Sequence, residues 1–158
     1  MPSPTSEPQT ILQQIVDRIR REEAGRWAEF SVESRPLGQR SAPRDIRAVF
    51  DRGFVLIAEI KKGSPSRGVI RRDLDPAAWA REYEKGGAGA VSVVTEKNFF
   101  LGDKEDLARV RNAVMLPILR KDFLIHPAQI YESFDLGADF VLLIASLLTD
   151  QKLVSLAG

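Results

Sequence analysis

The sequence predicts an α/β fold in which helices cover a parallel β-sheet. From residue 54 onward, short Val- and Ile-rich segments alternate four times with segments of helical periodicity, a pattern typical of parallel strands joined by helices. An internal repeat supports this prediction, since Gly87-Ala88 and Gly137-Ala138 each precede an apolar strand, at an interval that two βα units of about 25 residues would span. The repeat favours a (β/α)8 barrel of the TIM type over a solenoid. We therefore expect an N-terminal helical extension followed by about four βα units of such a barrel.

The N-terminus predicts a leader followed by an amphipathic helix. Residues 1–9 contain three prolines and several Ser and Thr residues, which predicts a disordered leader. Apolar residues then recur at helical spacing from Ile11 to Ile19. Thr10 is the expected N-cap of this helix and Gly25 its expected stop.

A linker and a short helix connect this amphipathic helix to the barrel. Residues 35–44 carry two prolines and a glycine and predict the linker. Residues 44–51 predict a short helix that ends near Gly53. Residues 10–53 are therefore expected to form the N-terminal helical extension and linker, and residues 54–158 the first half of the barrel.

The barrel segment contains four predicted strand and helix pairs. Strands are expected at residues 54–60, 90–95, 118–121 and 140–144. Helices are expected at residues 76–85, 104–112 and 127–136, and from Asp150 onward. The last helix breaks off before a normal C-cap, so we expect a barrel that is truncated in its fourth helix.

Composition excludes several classes of protein. With 44% hydrophobic and 28% charged residues, the sequence is that of an ordinary globular protein. The 23 basic and 22 acidic side chains give a net charge of +1, so there is no bulk electrostatic case for binding nucleic acid or an anionic membrane. The absence of cysteine excludes disulfides and thiolate metal sites, and neither a secretory signal nor a long apolar run is present. We expect a cytoplasmic protein without a metal site.

Two predicted strands end in charged residues. They are "FVLIAEIKKGSPSRG" from Phe54 to Gly68 and "LPILRKDF" from Leu116 to Phe123. Charged side chains at the end of a buried strand are costly unless they meet a ligand or each other. Because side chains alternate along a strand, an acid (Glu59) and an amine (Lys61) share one face. Catalytic groups of (β/α)8 barrels lie at the C-terminal ends of strands, so these residues and Lys121 indicate a reaction site.

Each of these residues also has a structural interpretation. Glu59 and Lys61 could form a structural ion pair. Lys121 and Asp122 could belong to an ordinary turn in which Asp122 lies near a helix N-terminus, and His126 is expected to be a turn or cap residue. The adjacent Phe99 and Phe100 could cover the barrel top or line an aromatic pocket.

Four motifs together resemble indole-3-glycerol phosphate synthase of tryptophan biosynthesis. They are "IAEIKKGSPSRG", "SVVTEKNFFLG", "PILRKDFLI" and "GADFVLLI", and the resemblance extends over essentially all of residues 11–153. It implies catalytic roles for three residues: Lys121, Lys61 and Glu59. It implies substrate-binding roles for four more: Ser64, Phe100, Phe123 and Leu142.

The resemblance also implies a reaction. The family closes the ring of 1-(2-carboxyphenylamino)-1-deoxyribulose 5-phosphate, with loss of carbon dioxide and water and without a metal or organic cofactor. Lys121 would be the general acid for the keto oxygen, which gains negative charge as the aromatic ring attacks. Lys61 would hold the anthranilate carboxylate or take part in dehydration, and Glu59 would orient the ammonium groups and shuttle a proton.

Part of the implied site has no counterpart in this sequence. The resemblance places a carboxylate general base, an asparagine and the phosphate-binding loops in the second half of the barrel, so negligible synthase activity is expected of this polypeptide alone. Open sheet edges predict self-association or pairing with a complementing C-terminal half. Two alternatives remain: a non-catalytic half-barrel assembly module, or another phosphate-binding barrel such as phosphoribosylanthranilate isomerase, which lacks the "KGSPS" loop and the N-terminal helix.

Overall fold

A parallel four-stranded sheet covered by helices forms the body of the protein. The computed structural model describes residues 9–31 and 42–157. The strands are β1 (Ile57–Ile60), β2 (Gly63–Ser64), β3 (Gly68–Val69), β4 (Ala90–Val94), β5 (Ile118–Lys121) and β6 (Phe140–Val141). The helices are α1 (Ile11–Ala28), α2 (Ile46–Phe50), α3 (Pro76–Lys85), α4 (Lys97–Phe100), α5 (Glu105–Ala113), α6 (Pro127–Asp135) and α7 (Asp150–Ala157). The main sheet has the order β1-β4-β5-β6, with every pair parallel, and β2 and β3 form a small antiparallel hairpin.

This topology confirms the predicted fold class. Strands that follow one another through α3, α5 and α6 are neighbours in the sheet, which is the arrangement of consecutive βα units in a barrel. The repeated glycines serve this arrangement, because Gly87 and Gly137 adopt positive φ angles of 85° and 104° directly after α3 and α6. A residue with a side chain is strained at such angles, so glycine permits the tight turn from each helix into the next strand.

The hydrophobic core lies between the sheet and helices α3 and α5. Ile60 and Val93 pack from the sheet against Ala80 of α3 and against Leu107 and Val110 of α5, and each of these residues is at most 2% exposed. Burying one large aliphatic side chain contributes about 1.5–3 kcal/mol. Because Ile60 faces this core, the preceding residue of β1 faces the opposite side of the sheet, which would be the interior of a barrel.

The N-terminal helix is longer than predicted. Thr10 caps it as expected and forms a capping box with Gln13, but Gly25 does not end it, and the helix continues to Ala28. Glycine inside a helix costs only about 1 kcal/mol relative to alanine. The last turn compensates by packing on the barrel, where the Trp27 ring stacks on a histidine at a centroid distance of 4.5 Å.

Other boundaries differ where tertiary pairing decides them. β1 begins at Ile57 and not at residue 54, and Phe54 is 96% exposed. β6 has two residues, and within the described part of the chain they pair with Leu119 and Arg120 of β5. The helix α4 and the β2–β3 hairpin have no counterpart in the sequence-based assignment.

Some predictions fall outside the described residues. The predicted leader lies there except for its last residue, and so does most of the predicted linker. The division into leader, extension and barrel segment therefore stays a prediction. Within residues 9–31 and 42–157, no helix has both the length and the apolar character needed to cross a membrane.

Candidate active site

A carboxylate shared by two lysines marks the C-terminal edge of the sheet. Glu59 Oε1 lies 2.7 Å from Lys61 Nζ, and Glu59 Oε2 lies 3.3 Å from Lys121 Nζ. Glu59 belongs to β1 and Lys121 to β5, so the cluster spans the intervening strand β4. The three side chains are 30–37% exposed, so a ligand can reach them. The ion pair considered from the sequence is therefore present, and it includes Lys121.

The two lysines keep Glu59 ionised. Partial burial raises the pKa of Glu59, but the hydrogen bond from Lys61 and the positive charge of Lys121 outweigh burial and hold this pKa below its usual value. At neutral pH the cluster therefore carries two cationic partners for one anion. An incoming anionic ligand would meet an excess of positive charge.

Two further polar residues lie around Glu59. Tyr83 of α3 donates its hydroxyl hydrogen to the backbone carbonyl oxygen of Glu59 at 3.1 Å. Burial and the Glu59 charge both raise the pKa of Tyr83, so the phenol stays protonated and remains a donor. Ser92, paired with Glu59 in the sheet register, is 3% exposed, and its Oγ has no hydrogen-bond partner among the described residues. A serine inside the run "AVSVV" was the only sequence signal for it.

An apolar pocket adjoins the lysine cluster. Phe100 and Phe123 place their ring centroids 6.0 Å apart, with an interplanar angle of 45°. Together with Leu142 and Lys121 they surround a cavity of about 30 Å³. Lys121 therefore has Glu59 on one side and two aromatic rings on the other. This combination suits a ligand in which an aromatic ring is attached to a polar group that carries or develops negative charge.

Ser64 is held within its own hairpin. Its hydroxyl accepts a hydrogen bond from the backbone N–H of Arg67 at 3.3 Å and lies 3.5 Å from the Ser66 hydroxyl. The preceding Gly63 packs against Leu101, so the hairpin touches the residue that directly follows Phe100. The structure thus places Ser64 beside the site and gives it local partners, whereas the other six predicted residues form the lysine cluster and the pocket.

Two neighbouring residues have structural roles. His126 caps α6, because its Nδ1 accepts the backbone N–H of Ala128 at 3.2 Å, as the cap interpretation predicted. Burial, together with the charge of Lys152, lowers the pKa of His126 and favours the neutral ring that this hydrogen bond requires. Glu96 accepts the backbone N–H groups of Asn98 to Phe100 and so caps α4.

A buried arginine, which is not among the residues predicted from the sequence, lies behind Lys121. Arg120 is 1% exposed and lies on the helix-facing side of β5, where it binds Asp122 at 3.0 Å and Glu132 at 2.9 Å. Asp122 is therefore an ion-pair partner of Arg120 and not the helix N-terminal residue suggested from its position. The alternation of side chains along a strand could have identified this arginine, because if Lys121 faces the interior of the barrel, Arg120 must face the helices. Among the described residues, no group of three or more His, Asp or Glu side chains could hold a metal ion.

Comparisons with known proteins point to a single family. The family model for indole-3-glycerol phosphate synthase matches residues 9–158. The protein of that name from Sulfurimonas denitrificans is 45% identical over 155 residues, which cover 94% of this chain and 59% of the relative. That from Microcystis aeruginosa is 44% identical over 95% of this chain and 52% of the relative. That from Carboxydothermus hydrogenoformans reaches 59% identity over 62% of this chain and 37% of the relative.

These matches have two consequences. The chain spans between about half and three-fifths of the length of the first two relatives. The family match nevertheless covers nearly every residue of the chain. This chain therefore belongs to the indole-3-glycerol phosphate synthase family.

Proposed function

We propose that this chain supplies the acid and aromatic-binding part of an indole-3-glycerol phosphate synthase. The substrate is 1-(2-carboxyphenylamino)-1-deoxyribulose 5-phosphate, and the reaction closes its indole ring with loss of carbon dioxide and water. The observation that carries the proposal is the position of Lys121, which contacts Glu59 at 3.3 Å and also lines the pocket of Phe100 and Phe123. An aromatic ring bound in that pocket brings its attached ketose chain to the ammonium group.

Lys121 is the general acid in this proposal. As the aromatic ring attacks the keto carbon, negative charge develops on the keto oxygen. An ammonium group at that oxygen donates a proton and stabilises the charge, and general acid catalysis of this kind contributes about 10²- to 10⁴-fold in rate. The half-exposed position of Lys121 beside the pocket supports this role.

Lys61 and Glu59 complete the charge arrangement. The Lys61 ammonium lies 2.7 Å from Glu59, at the same C-terminal edge of the sheet as Lys121, and we call this edge the mouth of the site. There Lys61 can bind the anthranilate carboxylate or assist the later loss of water. Glu59 holds both ammonium groups in place and can relay a proton between them. Its lowered pKa keeps it in the basic form that such a relay requires.

Phe100, Phe123 and Leu142 form one wall of the substrate pocket. Their cavity of about 30 Å³ is far smaller than the roughly 300 Å³ or more of a typical ligand site. The rest of the pocket must therefore come from movement of these rings or from further polypeptide. We assign Ser64, in the adjoining hairpin, to the substrate-contacting residues.

The remaining catalytic groups are assigned to polypeptide beyond the 158 residues. The relatives are considerably longer than the matched region, and a complete (β/α)8 barrel needs about 250 residues. The added strands would supply the general base and the loops that bind the substrate phosphate. We assign the complete enzyme to the cytoplasm and expect it to need neither a metal nor an organic cofactor.

A fusion protein tests this proposal. The 158 residues are joined to the remaining C-terminal part of the Sulfurimonas denitrificans relative, and formation of indole-3-glycerol phosphate is followed by fluorescence. We expect turnover by the fusion, and a kcat lower by about 10²- to 10⁴-fold in Lys121→Met. Lys85→Met is the matched control, since the ion-pair partner of Lys85 among the described residues is the exposed Glu82 on α3. A fusion that folds but has no activity would refute the proposed function.

A further inference from the structure

Behind Lys121, on the other face of β5, a buried guanidinium is held from several sides. The Nε of Arg120 donates to Thr95 Oγ1 at 3.2 Å, and its terminal nitrogens donate to Asp122, Glu132 and Ser133 at 2.9–3.1 Å. Arg120 is 1% exposed. These contacts join the ends of β4 and β5 to α6, so the guanidinium has little freedom to move.

Thr95 connects this guanidinium directly to the backbone of Lys121. Its backbone N–H donates to the carbonyl oxygen of Lys121 at 3.2 Å. Its hydroxyl accepts from Arg120 and donates to Asp122 Oδ2 at 2.5 Å. Thr95 thus binds the main chain of Lys121 and the side chains of its two neighbours, Arg120 and Asp122. These contacts fix the position of the end of β5 and the direction in which the Lys121 side chain extends.

Glu132 extends the network to the N-terminal helix. In addition to Arg120, it binds Arg26 of α1 at 2.6 Å and Lys104 at 3.0 Å. Burial raises the pKa of Glu132, but the hydrogen bond from Arg26 and the charge of Arg120 outweigh burial and lower this pKa to about 2. Glu132 is therefore ionised, and α1 is bound to the same cluster that holds Arg120.

We propose that Arg120 is a positioning residue for Lys121: its contacts with Thr95, Asp122 and Glu132 fix the end of β5 and so aim the Lys121 ammonium at the mouth of the site. The inference rests on the proposed function, because it concerns the acid of that reaction. Arg120 itself lies on the opposite face of the sheet and does not touch the substrate.

Stability alone does not account for this arrangement. Replacing a buried ion pair with neutral side chains of similar size is often neutral or stabilising. A displacement of about 1 Å at a reacting group, by contrast, can lower a rate about 10²-fold. We therefore expect loss of the Arg120–Asp122 pair, directly behind the proposed acid, to lower catalysis more than stability.

The test uses the fusion protein with Arg120→Met/Asp122→Asn. This pair of changes removes one cation and one anion together, and Glu132 keeps Arg26 and Lys104 as partners, so no buried charge is left alone. We expect the thermal unfolding midpoint of the parent, a kcat lower by about 10- to 100-fold, and a KM changed by less than about threefold. Arg81→Met, on the exposed face of α3, is the control.

A second comparison separates positioning from general damage to the fold. In a Lys121→Met background, Arg120→Met/Asp122→Asn should cause no further loss of kcat, because the group that it positions is already absent. Thr95→Val, which leaves Arg120 and Asp122 paired, should lower kcat in the same selective way and provides a milder variant should the double replacement unfold.

Three outcomes overturn the inference. The first is a kcat equal to that of the parent fusion in both the double variant and Thr95→Val. The second is a further loss of kcat when the double variant is combined with Lys121→Met. The third is a rise in KM that accounts for the whole loss of kcat/KM. Failure of the parent fusion to turn over rejects the proposed function and this inference with it, so the two failures are distinguishable.

Discussion

Replacing Gly102 with alanine should destabilise the fold and displace the loop that directly follows α4 and its last residue, Phe100. A Cβ at Gly102 would lie 2.4 Å from the carbonyl oxygen of Val94 and 2.7 Å from the carbonyl carbon of Thr95, both of them backbone atoms. These atoms belong to the last residue of β4 and the residue after it, and β4 pairs with β1 on one side and with β5 on the other, so they cannot easily move. The loop must therefore move away from the sheet.

The size of the effect follows from two contributions. Forcing an extra methyl group into a filled space typically costs about 1–3 kcal/mol. Movement of the loop also breaks the hydrogen bond from the Gly102 N–H to the Glu96 carbonyl oxygen, which is 2.8 Å long and worth about 1 kcal/mol. We expect the free energy of unfolding to fall by about 2–4 kcal/mol.

Urea unfolding of the fusion protein measures this change, with Gly25→Ala as the matched control. Gly25 lies inside α1, and a Cβ there meets no atom within 4 Å. The same substitution should therefore stabilise that helix by about 0.5–1 kcal/mol. Equal urea midpoints for Gly102→Ala and the parent would show that the loop adapts freely, and the reasoning from the Cβ contacts would be wrong.

Two further predictions concern Glu132 and the chain by itself. The pKa of Glu132 falls from its ordinary 4.5 to about 2 on folding, so its contribution to stability is present above pH 4.5 and is lost as the pH falls towards 2. In a plot of unfolding midpoint against pH, Glu132→Gln should have a smaller slope between pH 2 and 4.5 than the parent fusion, whereas the exposed Glu82→Gln should have the slope of the parent. Identical slopes for the parent and both variants would contradict the lowered pKa of Glu132. In the described sheet β1 and β6 each pair on one side only, so the 158-residue chain alone should self-associate with rising concentration in sedimentation experiments. The same chain should show negligible synthase activity, because the general base and the phosphate-binding loops are assigned to further polypeptide. A monomer at every concentration, or turnover comparable to that of the fusion, would contradict this prediction.

Local signals located the regular elements of the barrel segment. The helix predicted at residues 76–85 is α3 (Pro76–Lys85), because Asp75 caps it, Pro76 occupies its first turn and Gly87 permits the turn that follows. The strand predicted at residues 118–121 is β5 (Ile118–Lys121). Caps, prolines and glycines act over a few residues, so such boundaries can be read from a sequence.

Signals that depend on distant residues were not readable. The sequence predicts that Gly25 ends the first helix, but contacts of the last turn with α6 and its N-cap extend the helix to Ala28. The length of β6 likewise depends on pairing, because its two residues are those that pair with Leu119 and Arg120 in the described sheet. The side-chain partners of Arg120 lie just after β4 (Thr95), just after β5 (Asp122) and in α6. No single stretch of sequence contains them all, so this network could not be predicted from a local pattern.

The sequence by itself determined which side chains share a face. Alternation along β1 puts Glu59 and Lys61 on one side of the sheet, and the end of β5 puts Lys121 at the same edge. Only the tertiary structure decided that one carboxylate serves both lysines, at 2.7 and 3.3 Å, and that a buried arginine lies behind the second lysine. The periodicity of the chain fixes directions, whereas distances across three strands depend on how the sheet pairs and how the helices pack behind it.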